Sequence, residues 1–446
     1  MKKFLVVLLS LGLIAAFGMT ASAADMKVSG GYYVVGVYQD NPSLAKDSGY
    51  SHAFLYQRFR FQPVFQIAEG LTFTARMDAM EKQWGNTNWR TGTDDVTSSR
   101  RNEYTTAAGK GQKIQESLEF ERGYVTFKTA VGVFNIGYQN VDDWGTDFCD
   151  YSNSRPRVGF YTMLGPVLLG ANFEKLYESD TAGANGATPT NYVDADKDTY
   201  ALFGIYYGKG IEAGLLYKYY AFNNTRPSGY KTNISLLSPY IKATFGPLYV
   251  EGEVSYWFGK NVAYEAPLAG TPDQDLSAWG AYLKAKMNAG PAYFGALFAY
   301  SQGDDGSSAT KSKSNPGGAG TNFAPALILM NDALATWTNS GSAASANSSK
   351  LNVIIYNAFV GFNPMPKLNI EAAVTYADVD KIPAGVTRDK NLGTEFDVKA
   401  TYKIYDSLSY MVGAGYLWTG DYYKGAGGLG TVDNDYMLLN QLTLSF

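Results

Sequence analysis

The chain has 446 residues, 15% aromatic and 46% hydrophobic, with 48 glycines, 35 tyrosines and 24 phenylalanines. This composition crowds out the usual helix formers and argues against a helix-dominated soluble fold. The formal charge is −4, Cys149 is the only cysteine and His52 the only histidine, which argues against a nucleic-acid partner and excludes an intrachain disulfide, a cysteine metal cluster and Cys-x-x-Cys-His haem attachment.

At the start, Lys2 and Lys3 precede an apolar stretch from Phe4 to Phe17, followed by Ala21-Ser22-Ala23. That is the layout of a secretory signal peptide, residues 1–23, and the apolar run is shorter than the roughly 20 residues a spanning helix needs. Removal of the two lysines takes the formal charge to −6. No later apolar run approaches spanning length, so the mature chain, 24–446, is exported and has no helical way to cross a membrane.

A first strand is expected at 26–38. In "YQRFRFQP", 56–63, Tyr56, Arg58, Arg60 and Gln62 share one face, while Phe59 and Phe61 share the other. "LTFTARMD" sets Leu71, Phe73, Ala75 and Met77 against Thr72, Thr74, Arg76 and Asp78. Arg122, Tyr124 and Thr126 form the polar face of the next strand. The same two-residue period recurs in "IEAGLLYKY", "LYVEGEVSY", "WGAYLKAKM", "LNIEAAVTY" and "EFDVKATYKI", with Lys218, Glu251, Glu253, Lys284, Glu371, Glu395 and Asp397 on polar faces. In the terminal "YMLLNQLTLSF", Tyr436, Leu438, Leu442, Leu444 and Phe446 share one parity, broken only by Asn440. Charge on one face and lipid-compatible side chains on the other describe a wall between hydrocarbon and water.

The connections alternate in length. Short ones fall at 68–70, 129–132, 165–166, 208–210, 246–247, 289–291, 363–366 and 406–407, and long polar ones at 81–115, 179–198, 259–277, 302–349 and 419–432. This predicts an all-β fold, a transmembrane antiparallel β-barrel of 16–18 strands with short periplasmic turns and long extracellular loops. The count is 18 if the short stretches at 133–139 and 157–164 both form strands.

Several features fit chemistry less well. Asp194, Asp196 and Asp198 in "DADKD" have the spacing of a calcium loop but lack its glycine and distal glutamate, so a solvated loop is expected. No metal and no cofactor are assigned. The apolar island 322–339 reads as a locally packed loop helix, with a mouth plug, a subunit contact or a lid as alternatives. His52 has no nucleophile motif beside it, so the chain is not read as an enzyme.

The layout resembles that of the Gram-negative outer-membrane porin superfamily. The resemblance is carried by "FERGYVTFKTAVGVFNIGYQ" at 120–139, by the arginine-bearing "YQRFRFQP", and by the final phenylalanine with apolar residues two and four places before it. It implies a passive outer-membrane channel for small hydrophilic solutes and ions. It also implies partners: outer-membrane lipid and lipopolysaccharide, the barrel assembly machinery, and two further copies in a homotrimer. Tyr436, Leu442, Leu444 and Phe446 correspond to the assembly signal. The third long loop, here about 140–156, is implied to fold inward and narrow the barrel. Its Asp142, Asp143, Asp147 and Asp150 are then expected to face the basic wall of Arg58, Arg60, Arg76 and Arg122, setting a transverse field across the opening. Parity leaves Arg155 and Arg157 open between wall and loop. A barrel sheathing an electron carrier or serving an export complex remains the alternative.

Overall fold

A computed structural model describes residues 25–47, 51–84, 118–179, 194–265, 271–331, 333–334, 337, 350–424 and 429–446. The signal-peptide reading, 1–23, lies outside the described residues.

Among the described residues, alternation along the chain becomes nineteen strands. The first seven are β1 (Asp25–Gln39), β2 (His52–Ala68), β3 (Leu71–Gln83), β4 (Leu118–Lys128), β5 (Val133–Val141), β6 (Asn153–Leu164) and β7 (Val167–Tyr177). Then come β8 (Lys197–Gly208), β9 (Ile211–Phe222), β10 (Tyr230–Phe245), β11 (Leu248–Tyr264), β12 (Gln274–Ala289) and β13 (Ala292–Ser301). The last six are β14 (Lys311–Ser312), β15 (Val353–Met365), β16 (Leu368–Val379), β17 (Asn391–Tyr405), β18 (Leu408–Thr419) and β19 (Asp435–Ser445). β14 is a two-residue parallel bridge beside β12 within a long loop. The other eighteen pair antiparallel, each with its neighbours in sequence, and β1 pairs with β19 to close the ring. Closure leaves no open edge, as a barrel in lipid requires.

The expected strand count appears, including the short strands β5 and β6, and so do the short turns, except that the one expected at 363–366 falls at 366–367. Other boundaries differ too: β11 runs to Tyr264 and β12 starts at Gln274, inside the loop expected at 259–277. β6 begins at Asn153, so the third loop is 142–152 and Arg155 stands on the wall.

Outward positions carry exposed Leu202, Leu283, Val360, Val412 and Leu438. Aromatic residues mark both rims: Tyr200, Trp279, Tyr356, Trp418 and Tyr436 towards the long loops, and Tyr206, Phe245, Tyr405 and Phe446 towards the short turns. Such belts suit headgroup depth, where an aromatic ring has one apolar and one wet side. Phe446 also sits at the closing seam. Its N–H donates to the Gly30 carbonyl at 3.1 Å and its carbonyl accepts from Gly30 at 2.8 Å. A Cβ at Gly30 would lie 2.8 Å from the Phe446 ring, so the close approach needs glycine. Among the described residues no helix is long and apolar enough to cross a membrane.

The main apolar core lies inside the barrel. Val35, Val37, Ile355, Ala377, Leu417, Met437 and Leu439 point inward from β1, β15, β16, β18 and β19. They are covered by Phe148 of the third loop and by Phe323, Ala326 to Met330 and Leu334 of the loop between β13 and β15.

Candidate functional site

The four arginines read from alternation lie together on β2, β3 and β4. Cross-strand register sets Arg60 opposite Asp78 and Arg76 opposite Arg122. Arg60 grips Asp78 through Nε at 2.6 Å and Nη2 at 2.5 Å, the paired geometry that suits a guanidinium to a carboxylate. Arg58 lies 3.9 Å from Asp78 and 3.5 Å from Glu81, and over the Tyr33 ring at 5.0 Å. Arg76 Nε is 3.9 Å from Asp78. Asp78, buried among three arginines, is thus the hub of the basic wall. Alternation had put it on the same face as Arg76, but only the register of β2 against β3 reveals its partners.

The third loop, 142–152, reaches across the lumen to the wall formed by β9–β12. Trp144 Nε1 donates to the Ser238 carbonyl at 3.1 Å, and its ring meets Phe203 and Tyr240 edge-on at 5.5 and 5.2 Å. Thr146 donates its N–H and its hydroxyl to Glu253 Oε2 at 2.7 and 2.8 Å. The Ser238 hydroxyl donates to the other oxygen of that carboxylate, Oε1, at 2.9 Å. Gly145 makes the approach with φ of +65°, and a Cβ there would fall 2.6 Å from Glu253 Oε1. Beyond it, Phe148 stacks on Tyr282 with ring centres 5.6 Å apart and planes at 7°. Burial beside Glu253 pushes the Cys149 thiol well up, which leaves it inert at neutral pH.

The four loop aspartates separate. Asp142 accepts from Lys218 Nζ at 2.7 Å and from Asn153 at 3.2 Å. Burial opposes its charge, but Lys218 and Asn153 outweigh it and hold the carboxyl below its ordinary range. Asp143 accepts from Asn140 at 2.8 Å, and Asn140 in turn accepts from Arg122 at 2.7 Å. Burial, then Asp150, raises the Asp143 carboxyl; burial, then Glu251, raises that of Asp147. Asp150 accepts from Ser152 at 2.7 Å. Only Asp143 is therefore linked to the arginine cluster by hydrogen bonds. Lys218 was legible as a polar-face residue, though nothing in spacing joined it to Asp142. Arg157 pairs with Glu174, and Arg155 lies close enough to Asp142 to favour its charge. Both stand on β6.

The second inward segment comes from the loop between β13 and β15. Residues 322–339 were expected to pack locally, and the described part instead lies across the lumen. The backbone N–H groups of Leu327, Ile328 and Leu329 converge on the Glu395 carboxylate of β17 at 2.9, 2.7 and 2.7 Å, and Leu327 also donates to Asp397 at 3.2 Å. At the far side Trp337 Nε1 donates to the Tyr33 hydroxyl at 3.3 Å, and Gln83 donates to the Trp337 carbonyl at 2.7 Å. Phe323 meets Phe148 edge-on at 5.8 Å, so the two inward segments touch. The reason is apolar area: the inner faces of β1, β15 and β19 are too hydrophobic to stand in water.

Asp194, Asp196 and Asp198 answer to cations of the chain itself. Lys175 bonds Asp196 and approaches Asp198 at 3.4 Å, while Arg226 approaches Asp194 at 3.7 Å. Among the described residues no group of three or more His, Cys, Asp or Glu is placed to hold a metal ion. Tyr436, Leu442 and Leu444 share one parity of β19, and Phe446 follows directly after the strand.

No family model matches the sequence, and no curated protein does. Solved structures do match. Pseudomonas aeruginosa OccK2 in complex with glucuronate aligns with a TM-score of 0.52 and 13% identity over 95% of this chain and 98% of that one. Acinetobacter baumannii OccAB2 aligns with 0.50 and 13% over 94% and 98%. At such identity the likeness speaks for the fold. The described residues form a closed antiparallel wall of eighteen strands, the architecture on which these two structures superpose.

Proposed function

We propose that the chain forms a passive aqueous channel across an outer membrane for small hydrophilic solutes and ions. The observation that carries this reading is a closed barrel, apolar outside, whose inner face bears the Arg58–Arg60–Arg76–Arg122 cluster while a loop reaches across the lumen from β5 to β11. On this reading the 142–152 loop narrows the passage, and permeating ions pass between the basic wall on β2–β4 and the loop aspartates. Asp143 stands nearest the arginines and Asp142, Asp147 and Asp150 line the loop further on. The protein works as a homotrimer, exported through the segment 1–23, with the outer face of β19 read by the barrel assembly machinery.

A sheath for an electron carrier needs a wide, open bore, and the two inward segments that meet at Phe148 and Phe323 narrow this one. Planar-bilayer recording on the purified, folded barrel tests the channel reading. Discrete open steps with a salt-dependent reversal potential are expected. A folded barrel that inserts and stays silent overturns it.

A further inference from the structure

Asn440 breaks the apolar parity of the last strand, and the structure sets it on the outer wall. Met437 and Leu439 point into the inner core, so Leu438, Asn440 and Leu442 face out, with Leu438 53% exposed. Across the ladder Asn440 lies opposite Gly36 of β1 and the exposed Val412 of β18. It follows Tyr436 by four residues and precedes Phe446 by six, about 13 and about 20 Å along the strand at about 3.3 Å per residue. The amide therefore sits well inside the band between the aromatic rims. A lysine could carry its charge to a rim on a long stem, but asparagine has no such reach.

One barrel satisfies that amide poorly. Nδ2 lies 3.4 Å from the Gly36 carbonyl, a long contact for an N–H donor. Oδ1 accepts no hydrogen bond among the described residues. A second amide stands close by. Tyr56 and Arg58 of β2 face the lumen, so Gln57 between them faces out, opposite Val34, which in turn lies opposite Leu442. Its Oε1 accepts from the Tyr32 hydroxyl at 3.1 Å and from Trp84 Nε1 at 2.7 Å. Its Nε2 has no acceptor among the described residues.

The depth selects the occupant. An acyl chain offers neither donor nor acceptor, and an amide left unmet in hydrocarbon is costly. A second copy of this chain offers both. Asparagine carries a donor and an acceptor on one head group, so Nδ2 of one copy can donate to Oδ1 of the next around a rotation axis, and the ring closes with each amide met. Amides play this part between packed membrane segments. Leu442, Val34 and Val412 around Asn440 supply apolar surface to bury with it. We infer that the outer face of β19, β1 and β2 around Asn440 is where copies of this chain pack against one another. The inference rests on the homotrimer reading above, to which it adds the surface.

The test uses the whole folded barrel in detergent, with mass read by analytical ultracentrifugation and contact by oxidation with copper phenanthroline. Wild type is expected at a multiple of the single-barrel mass. Asn440→Leu replaces the amide by a side chain that lipid accepts. The variant should fold, as checked by circular dichroism, and fall to single barrels at concentrations at least about tenfold higher than wild type does. Asn440→Cys should give disulfide-linked pairs of chains. Leu283→Cys, on the exposed outer face of β12, should not, and the native Cys149 is buried. Dissociation of Asn440→Leu at wild-type concentrations overturns the face and leaves the assembly standing. So does cross-linking of Leu283→Cys where Asn440→Cys gives none. A wild type that sediments as a single barrel overturns the face and the assembly reading together.

Discussion

The carboxylate of Glu395 accepts the backbone N–H of Ile328 at 2.7 Å, with Leu327 and Leu329 donating beside it. A strand residue of the wall thus docks the inward segment by three hydrogen bonds to main chain, and Asp397 adds a fourth from Leu327.

Glu395→Ala removes the acceptor and strands the N–H groups of Ile328 and Leu329, while Leu327 keeps Asp397 at 3.2 Å. Leaving a buried N–H without an acceptor costs about 1–3 kcal/mol, and such costs are not additive. A loss of about 3 kcal/mol or more in docking of the 322–337 region is expected. It should appear as larger single-channel conductance and faster protease cleavage within 322–337, with the barrel's far-UV circular dichroism intact. Unchanged conductance would mean that this contact does not hold the segment across the passage.

Neutralising the basic wall should change ion preference. Arg58→Gln with Arg76→Gln removes two positive charges from a confined space, where low-dielectric walls focus the field. Reversal potentials should move toward cations, more at low salt than at high, since the Debye length falls from about 30 Å at 0.01 M to about 3 Å at 1 M. Arg60 is left in place because its grip on Asp78 anchors the cluster. Reversal potentials that stay fixed in a conducting double variant place the selective zone elsewhere.

Acidification should move the preference the other way, in two stages. A carboxylate loses its charge as pH falls below its pKa. Asp143 and Asp147 are raised by burial, so they neutralise first, above the range of a free aspartate near about 3.9. Asp142, held low against burial by Lys218, keeps its charge longest. Reversal potentials should shift toward anions as pH falls, and Asp143→Asn with Asp147→Asn should abolish the early part of that shift. An unaltered pH profile in the double variant would remove these two groups from the permeation path.

Shortening the chain by Phe446 should lower insertion while export continues. The residue closes two hydrogen bonds with Gly30 and lays its ring over that glycine. Fractionation with a folded-barrel mobility assay reads the outcome, and full insertion of the shortened chain would contradict the role given to this end. Gly30→Leu provides a second check, since its side chain would collide with both the Arg60 carbonyl and the Phe446 ring.

Facing was legible in the sequence and reach was not. The alternation of Arg58, Phe59, Arg60 and Phe61 states which side each occupies, because the period of a strand is two. Glycine and proline at 165–166, 246–247 and 290–291 announce turns too short for anything but a hairpin. By contrast, the bonds from Thr146 to Glu253 and from Leu329 to Glu395 span the lumen between residues far apart in the chain, and no local pattern encodes them. The stretch from Asn153 to Pro156 resembles loop because of its proline, yet register with β5 carries it as strand. The apolar island 322–339 looked self-contained because its partners, Val35, Ile355 and Met437, lie on strands whose inner faces were expected to be wet.

The seam between β1 and β19 joins residues from opposite ends of the chain, Gly31 with Ser445 and Val35 with Gln441. Every other pairing in the ring joins neighbours in sequence and can form as soon as a hairpin exists. This one cannot form until the final strand has arrived, and until then two unpaired strand edges face whatever surrounds them. The contact between Gly30 and Phe446 is therefore a clasp fastened last. Factors that shield those edges act on an unfastened sheet, and their task ends when the last ring settles on the first glycine.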